Sequence, residues 1–209
     1  MPRAKDEAAI AILAKAPVAG LAKTRLIPAL GAHGAAYAAE RMLEHAVATA
    51  RTAGLGPVTL WGTPDIRHRA FRDLVSTAQI TLRAQPNGDL GARMLAAVEA
   101  AGRPVLVIGT DCPALTPQHL RQAARALREG TDAVVIPAED GGYVLIGLRQ
   151  PQSTLFADMP WGTAAVMSHT QTRIAEAGLS SLILDPLWDV DTPADYERLV
   201  EAHLIEGIV

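Results

Sequence analysis

At 209 residues, with 49% hydrophobic and 20% charged positions and no Pro/Ser-rich or low-complexity stretch, the chain is long enough for one sizeable core. It is expected to form a single domain over 1–209. The 19 Lys and Arg against 22 Asp and Glu give a net charge of −3, with the cations scattered along the chain, which argues against a nucleic-acid surface. The one cysteine, Cys112, excludes an intrachain disulfide and a cysteine-cluster metal site, and reads as a packed small residue more readily than as a reactive thiol.

The N-terminal MPRAKDEAA holds no signal-like apolar segment, and the longest apolar runs have strand length. No membrane association and a cytoplasmic location are therefore expected. Residues 8–14 read as a buried strand, followed by the polar loop KAPVAGLAKTRLIP, which gathers Lys15, Lys23 and Arg25 in one connection. A long helix from about Gly31 to Ala53, with Tyr37, Leu43, Ala46, Val47 and Ala50 inward, closes at Gly54. A strand over 57–62, a short helix over 65–75, a strand over 79–84 and a helix over 90–101 follow. That last helix carries Leu90, Met94, Val98 and Ala101 on one face.

The run Val105, Leu106, Val107, Ile108 is apolar at every position, as in a strand buried on both faces of a parallel sheet. It delivers Asp111 to the carboxyl edge, where open α/β sheets bind ligands, although Asp is also a favoured turn residue. Thr116 caps a helix with Leu120, Ala123, Ala124 and Leu127 inward. Two further strands, 133–137 and 143–148, flank the turn EDGG, whose glycines fit an antiparallel connection and hence a mixed sheet. A helix with Val166, Met167, Thr170 and Ile174 inward and a strand over 182–184 follow. The last helix is capped by Asp191 or Thr192 and carries Tyr196, Leu199, Val200, His203 and Leu204 at helical spacing. Strands alternating with helices give α/β class.

In a doubly wound sheet four loops converge: 15–25, 85–93, 109–113 and 188–192. The first offers cations and Gly20, which permits close approach to phosphate; the last two offer carboxylates suited to a hard divalent cation. Mg²⁺ or Mn²⁺ needs only one or two protein carboxylates, so Asp111 and Asp191 would suffice, with Asp189 spare. The Walker phosphate loop is excluded, because Ala22 stands where its glycine precedes the lysine. The same cations also fit a solvated loop. Gln85, Gly88, Asp89, Gly91 and Arg93 either contact a nucleotide or form a helix-opening turn capped by Asn87 or Asp89. Asp140, Gly141, Gly142 and Tyr143 either line the acceptor side or form a plain hairpin. Trp188 and His203 read as packed residues.

The stretches AKAPVAGLAKTRL, QPNGDLGARM, IGTDCPALT, EDGGYVLIGL and WDVDTPADY, in that order over nearly the whole chain, resemble the DUF2064 group of the GT-A nucleotide-diphospho-sugar transferase superfamily. AKTRL is similar to the AKSRL-type loop of 2-phospho-lactate guanylyltransferase, and DVDTPADY resembles the DTPEDL ending of several nucleotidyltransferases, including CMP-sugar synthetases. The resemblance implies a Rossmann-like GT-A fold, with a mixed, mostly parallel sheet and helices on both faces. It also implies a phosphate role for Gly20, Lys23 and Arg25 and metal roles for Asp111 and Asp191, and Lys15 and Ala16 are expected beside them in the nucleotide site. Lys23 and Asp111 are the expected catalytic pair. Two departures stand out: KAPVAG replaces the glycine-rich first loop of the pyrophosphorylases, and the glycosyltransferase DxD is reduced to TDC. The activity expected is a metal-dependent transfer from a nucleoside-diphosphate sugar. The alternatives are nucleotidyl transfer from a triphosphate to a small phosphorylated or acidic acceptor, and a non-catalytic nucleotide-binding protein. The partners expected are a nucleotide or nucleotide sugar and a small acceptor, with the oligomeric state open and a homodimer among the possibilities.

Overall fold

A computed structural model of the chain describes residues 8–208, so most of the N-terminal stretch read above lies outside it. Strand β1 (Ala9–Lys15) is apolar up to its last residue because both its faces are covered. Ile10, Ile12 and Ala14 join a core with helices α1 (Ile27–Ala53), α2 (Arg69–Ala78) and α4 (Pro117–Arg128). Ala9 and Ala11 join the opposite core with α3 (Leu90–Ala101) and α5 (Val166–Glu176). The same alternation splits β4 (Val105–Ile108), with Leu106 and Ile108 on one side and Val105 and Val107 on the other.

With β2 (Val58–Thr63), β3 (Thr81–Ala84), β5 (Ala133–Pro137), β6 (Tyr143–Leu148) and β7 (Ser181–Ile183), the described residues form a seven-stranded sheet in the order β3-β2-β1-β4-β6-β5-β7. Its fold is α/β. Strand β6 runs antiparallel to both β4 and β5, and the other pairings are parallel. The EDGG hairpin therefore makes the sheet mixed, as its glycines indicated. Strand order reverses beside β1, which opens a crevice at the carboxyl ends of β1 and β4. A third apolar cluster joins the start of α1 to Trp188, Val190 and Leu199 of α6 (Pro193–Glu201), and so fastens the last loop against the first.

Several elements differ from the sequence reading. Gly31, at φ 69 and ψ 169, breaks helical geometry inside α1. Tyr37 is half exposed and donates to Gly207 O; Ala35, Ala38 and Met42 hold the inward positions. Helix α2 starts at Arg69, after a turn in which Asp65 accepts from Arg67 N and His68 accepts from Ala70 N. Helix α6 ends at Glu201, leaving His203 and Leu204 exposed beyond it instead of packed. Leu90 is also exposed.

Candidate active site

The loop after β1 is built to aim one side chain inward. Lys15 Nζ donates to Leu21 O at 2.7 Å, Leu21 and Ala22 N–H turn back to Val18 O, and Gly20 takes φ +81. Lys23 follows with φ 45 and ψ 48, a left-handed conformation costing a non-glycine residue about 1–2 kcal/mol. What holds it there is its ammonium. Lys23 Nζ lies 2.9 Å from Asp191 Oδ1, 3.0 Å from Asp111 Oδ2 and 2.6 Å from Val190 O. An ammonium has three N–H donors, so this one is saturated. Its side chain is only 10% exposed. Burial alone would lower its pKa, but the charges of Asp111 and Asp191 outweigh it and hold the group above the ordinary lysine value.

The two carboxylates reach this point from residues 80 apart in sequence. Asp111 follows β4, and its Oδ1 accepts from Thr110 Oγ1 at 3.1 Å. Val190 N donates to Asp111 O at 2.9 Å, which ties the two acidic loops through the backbone. Asp191 precedes α6, where Thr192 is the cap. Asp195 Oδ2 accepts from Asp191 N, Thr192 N and Thr192 Oγ1, fixing the backbone that carries Asp191. Arg25 Nη1 lies 3.3 Å from Asp191 Oδ2 and is 73% exposed, which leaves it free to meet an anion from solvent.

These groups wall a cleft of about 560 Å³, and all four predicted loops contribute to it. Lys15, Lys23, Arg25, Gln85, Arg93, Asp111, Tyr143 and Asp191 are at its walls. Asp189 is there too, its carboxyl pushed up to about 6 by burial and by the charges of Asp140 and Asp191. Tyr143 lies edge-on to Trp161, with its hydroxyl 3.8 Å from Met94 Sδ, and burial raises its phenol. Burial pushes the Cys112 thiol up to about 12, so it stays protonated and is no nucleophile.

The other predicted residues have structural contacts of their own. Ala16 is buried and donates its N–H to Thr63 O, linking β1 to β2. A Cβ at Gly20 would meet nothing within 4 Å, so the turn itself demands glycine there. Asp89 caps α3 by accepting from Ala92 N, Gly88 is held by its φ of +118, and a Cβ at Gly91 would lie 2.4 Å from Phe156 O. Asp140 accepts from Gly142 N, and a Cβ at Gly141 would lie 2.4 Å from Ala164 O. In this structure those glycines serve turns and packing. Gln85, one of the nucleotide-contact candidates, spends both amide hydrogens on Ala14 O and Trp61 O. Arg93 donates to Gly88 O. Trp188 belongs to the core, with the Arg198 guanidinium 4.5 Å from its ring centre.

The sequence reading assigned none of Thr63, Thr110, Leu21 and Leu90 to the site, and all four line the cleft. Thr63 and Thr110 were discoverable, since each sits at or just past the end of a strand. Exposed Leu90 was not, because an apolar residue at a helix start reads as core, and nothing in the sequence around Leu21, in the loop after β1, marks it as a cleft residue.

The model of the family described as an uncharacterized protein conserved in bacteria, DUF2064, matches residues 46–163. The chain belongs to the DUF2064 family. The matched span of this DUF2064 protein includes Asp111 but neither Lys23 nor Asp191. Over 183 residues it is 25% identical to 2-phospho-L-lactate guanylyltransferase of Methanosarcina barkeri, covering 86% of this chain and 81% of the relative. A Desulfovibrio desulfuricans G20 structure, provisionally assigned as a nucleotide-diphospho-sugar transferase, is 28% identical with a TM-score of 0.80, over 88% of this chain and 82% of that one. The 4-diphosphocytidyl-2C-methyl-D-erythritol synthase of Anaerococcus prevotii shares the fold at TM-score 0.63 and 12% identity, over 95% and 96% of the two chains. No described helix is long and apolar enough to cross a membrane.

Proposed function

We propose that this DUF2064 chain is a divalent-metal-dependent nucleotidyltransferase, moving a nucleoside monophosphate from a triphosphate to a small phosphorylated or acidic acceptor and releasing pyrophosphate. The observation that carries this is the Lys23 ammonium within 3.0 Å of both Asp111 and Asp191 at the carboxyl edge, beside exposed Arg25. The class, transferase, rests on the relatives. The choice of nucleotidyl over glycosyl transfer rests on the curated guanylyltransferase that matches most of both chains. Transfer from a nucleotide sugar is the second reading, favoured by the assignment of the Desulfovibrio structure.

The residues fit a metal. Two carboxylates already converge on one position that holds positive charge, and their oxygens are hard donors. Among the described residues no three His, Cys, Asp or Glu side chains form a metal-holding group, so the protein would supply two ligands and leave the rest to water and substrate phosphate. A bound Mg²⁺ or Mn²⁺ would neutralise charge developing on the phosphates. Arg25 and Lys15 draw the triphosphate tail to the mouth of the first loop, and Tyr143 and Asp189 border the side where an acceptor enters. Catalysis then needs placement and charge stabilisation, with no side-chain nucleophile.

Incubation with each nucleoside triphosphate and with nucleotide sugars, phosphorylated and carboxylic acceptors, and Mn²⁺ tests the proposal by its by-product. Pyrophosphate release that requires the metal and falls about a hundredfold in Asp111→Asn is expected. Release of nucleoside diphosphate instead would shift the assignment to glycosyl transfer, and unchanged turnover in the variant would remove the metal role.

A further inference from the structure

The Lys23 ammonium occupies the position between Asp111 and Asp191 that a divalent cation would take, and all three of its hydrogens are spent there. We propose that Lys23 is a built-in counter-ion that keeps free metal out of the ligand-free site, so that the enzyme takes its substrate as a metal–phosphate complex. The inference rests on the two-carboxylate reading above.

Two carboxylates left alone at this separation would repel each other and splay, and Lys23 prevents that. A second cation cannot share the seat, since like charges a few ångströms apart in a partly buried site repel strongly. Metal entry therefore requires Lys23 to withdraw from both carboxylates. A buried ammonium that loses its partners without new ones is costly, so withdrawal is favourable only when an anion is present to receive it. The exposed guanidinium of Arg25 marks the side from which that anion arrives. A nucleotide's phosphates meet the requirement, and bare metal does not. The strained backbone at Lys23 fits the same account, because the left-handed conformation is held by the contacts that withdrawal breaks.

The test is Mn²⁺ binding followed by electron paramagnetic resonance, with Mn²⁺ alone and with Mn²⁺ plus inorganic pyrophosphate, on wild type, Lys23→Met and Lys23→Gln. Free Mn²⁺ should bind both variants at least about tenfold more tightly than wild type, since the competing charge is gone. Pyrophosphate should tighten Mn²⁺ binding strongly in wild type and little in the variants. Equal or weaker Mn²⁺ binding by the variants overturns the proposal. Should the variants fail to fold, amine acetylation of wild type read by peptide mass spectrometry decides. Lys23, measured against Lys15, should stay as protected with Mn²⁺ alone as without metal and change its reactivity only when pyrophosphate is added with Mn²⁺; exposure by Mn²⁺ alone, or no change with Mn²⁺ plus pyrophosphate, overturns the proposal. Tightened metal binding without any transfer would remove the transferase reading and leave this one. Metal-dependent transfer without tightening would do the reverse.

Discussion

At the scale of single residues, Asp195 shows how the site is held without touching it. Its Oδ2 collects Asp191 N–H, Thr192 N–H and the Thr192 hydroxyl, and its own N–H returns to Thr192 Oγ1. Asp195→Ala should cost about 1 kcal/mol in urea unfolding, the usual worth of a lost cap, and should weaken Mn²⁺-dependent thermal stabilisation because Asp191 loses its backbone anchor. Asp195→Glu, which restores the usual capping box, should recover most of both; a full loss with Glu would show that the Asp has another role. This device was legible in the sequence, since T-P-A-D before an apolar helical stripe has the spacing of a reciprocal cap. That the loops carrying Lys23 and Asp191 converge was legible from the α/β pattern, but the direct pairing of the two side chains was not, because they lie 168 residues apart and no local spacing links them.

At the scale of elements, the β5–β6 hairpin is fixed by where its glycines touch the approach to α5. Gly141 has φ +92, its O accepts from Met167 N, and a Cβ there would sit 2.4 Å from Ala164 O. Gly141→Ala should destabilise the protein by at least about 2 kcal/mol, combining backbone strain with displacement of a neighbouring main chain. A loss under half of that would show that the segment around Ala164 yields easily. The glycine pair announced a turn, but which backbone pressed against it could only come from packing. Element ends show the same limit. Tyr196, Leu199, Val200, His203 and Leu204 keep a helical period, yet the helix stops at Glu201, because His203 adopts φ +50 and the chain turns away to return Ile205 and Ile208 to the core. Periodicity reports which residues share a face and says little about where hydrogen bonding ends.

At the scale of the whole molecule, stability rests on the double-sided sheet. Leu106 is fully buried at the centre of β4, and Leu106→Ala should cost about 2–5 kcal/mol by chemical denaturation. The far edge is pinned by Asp132, which accepts from Arg149, from Ser180 N at 3.0 Å and from Ser180 Oγ at 2.7 Å. The hydrogen bonds from Arg149, then those from Ser180, lower its pKa to about 2. A carboxyl depressed in the folded state stabilises it above the unfolded value near about 4, and that contribution is lost as pH falls through the folded value. The difference in melting temperature between wild type and Asp132→Asn should therefore be constant above about pH 5 and shrink between about pH 4 and 2. A difference independent of pH would show that the carboxylate charge contributes nothing.

The amino-acid sequence alone determined the α/β class, the mixed sheet and the presence of two acidic loops and a basic one, because strand burial, glycine turns and helix caps are local patterns. Tertiary structure decided what those loops do together. Lys23 meets Asp111 and Asp191 because strand order reverses beside β1 and the third core cluster folds the last loop onto the first. The same packing assigned Gly91 and Gly141 to close contacts and Gln85 to the strand ends, where a linear reading could not separate binding from support. The order of strands and helices shows which distant loops converge, but which of their side chains touch leaves no trace in spacing or composition.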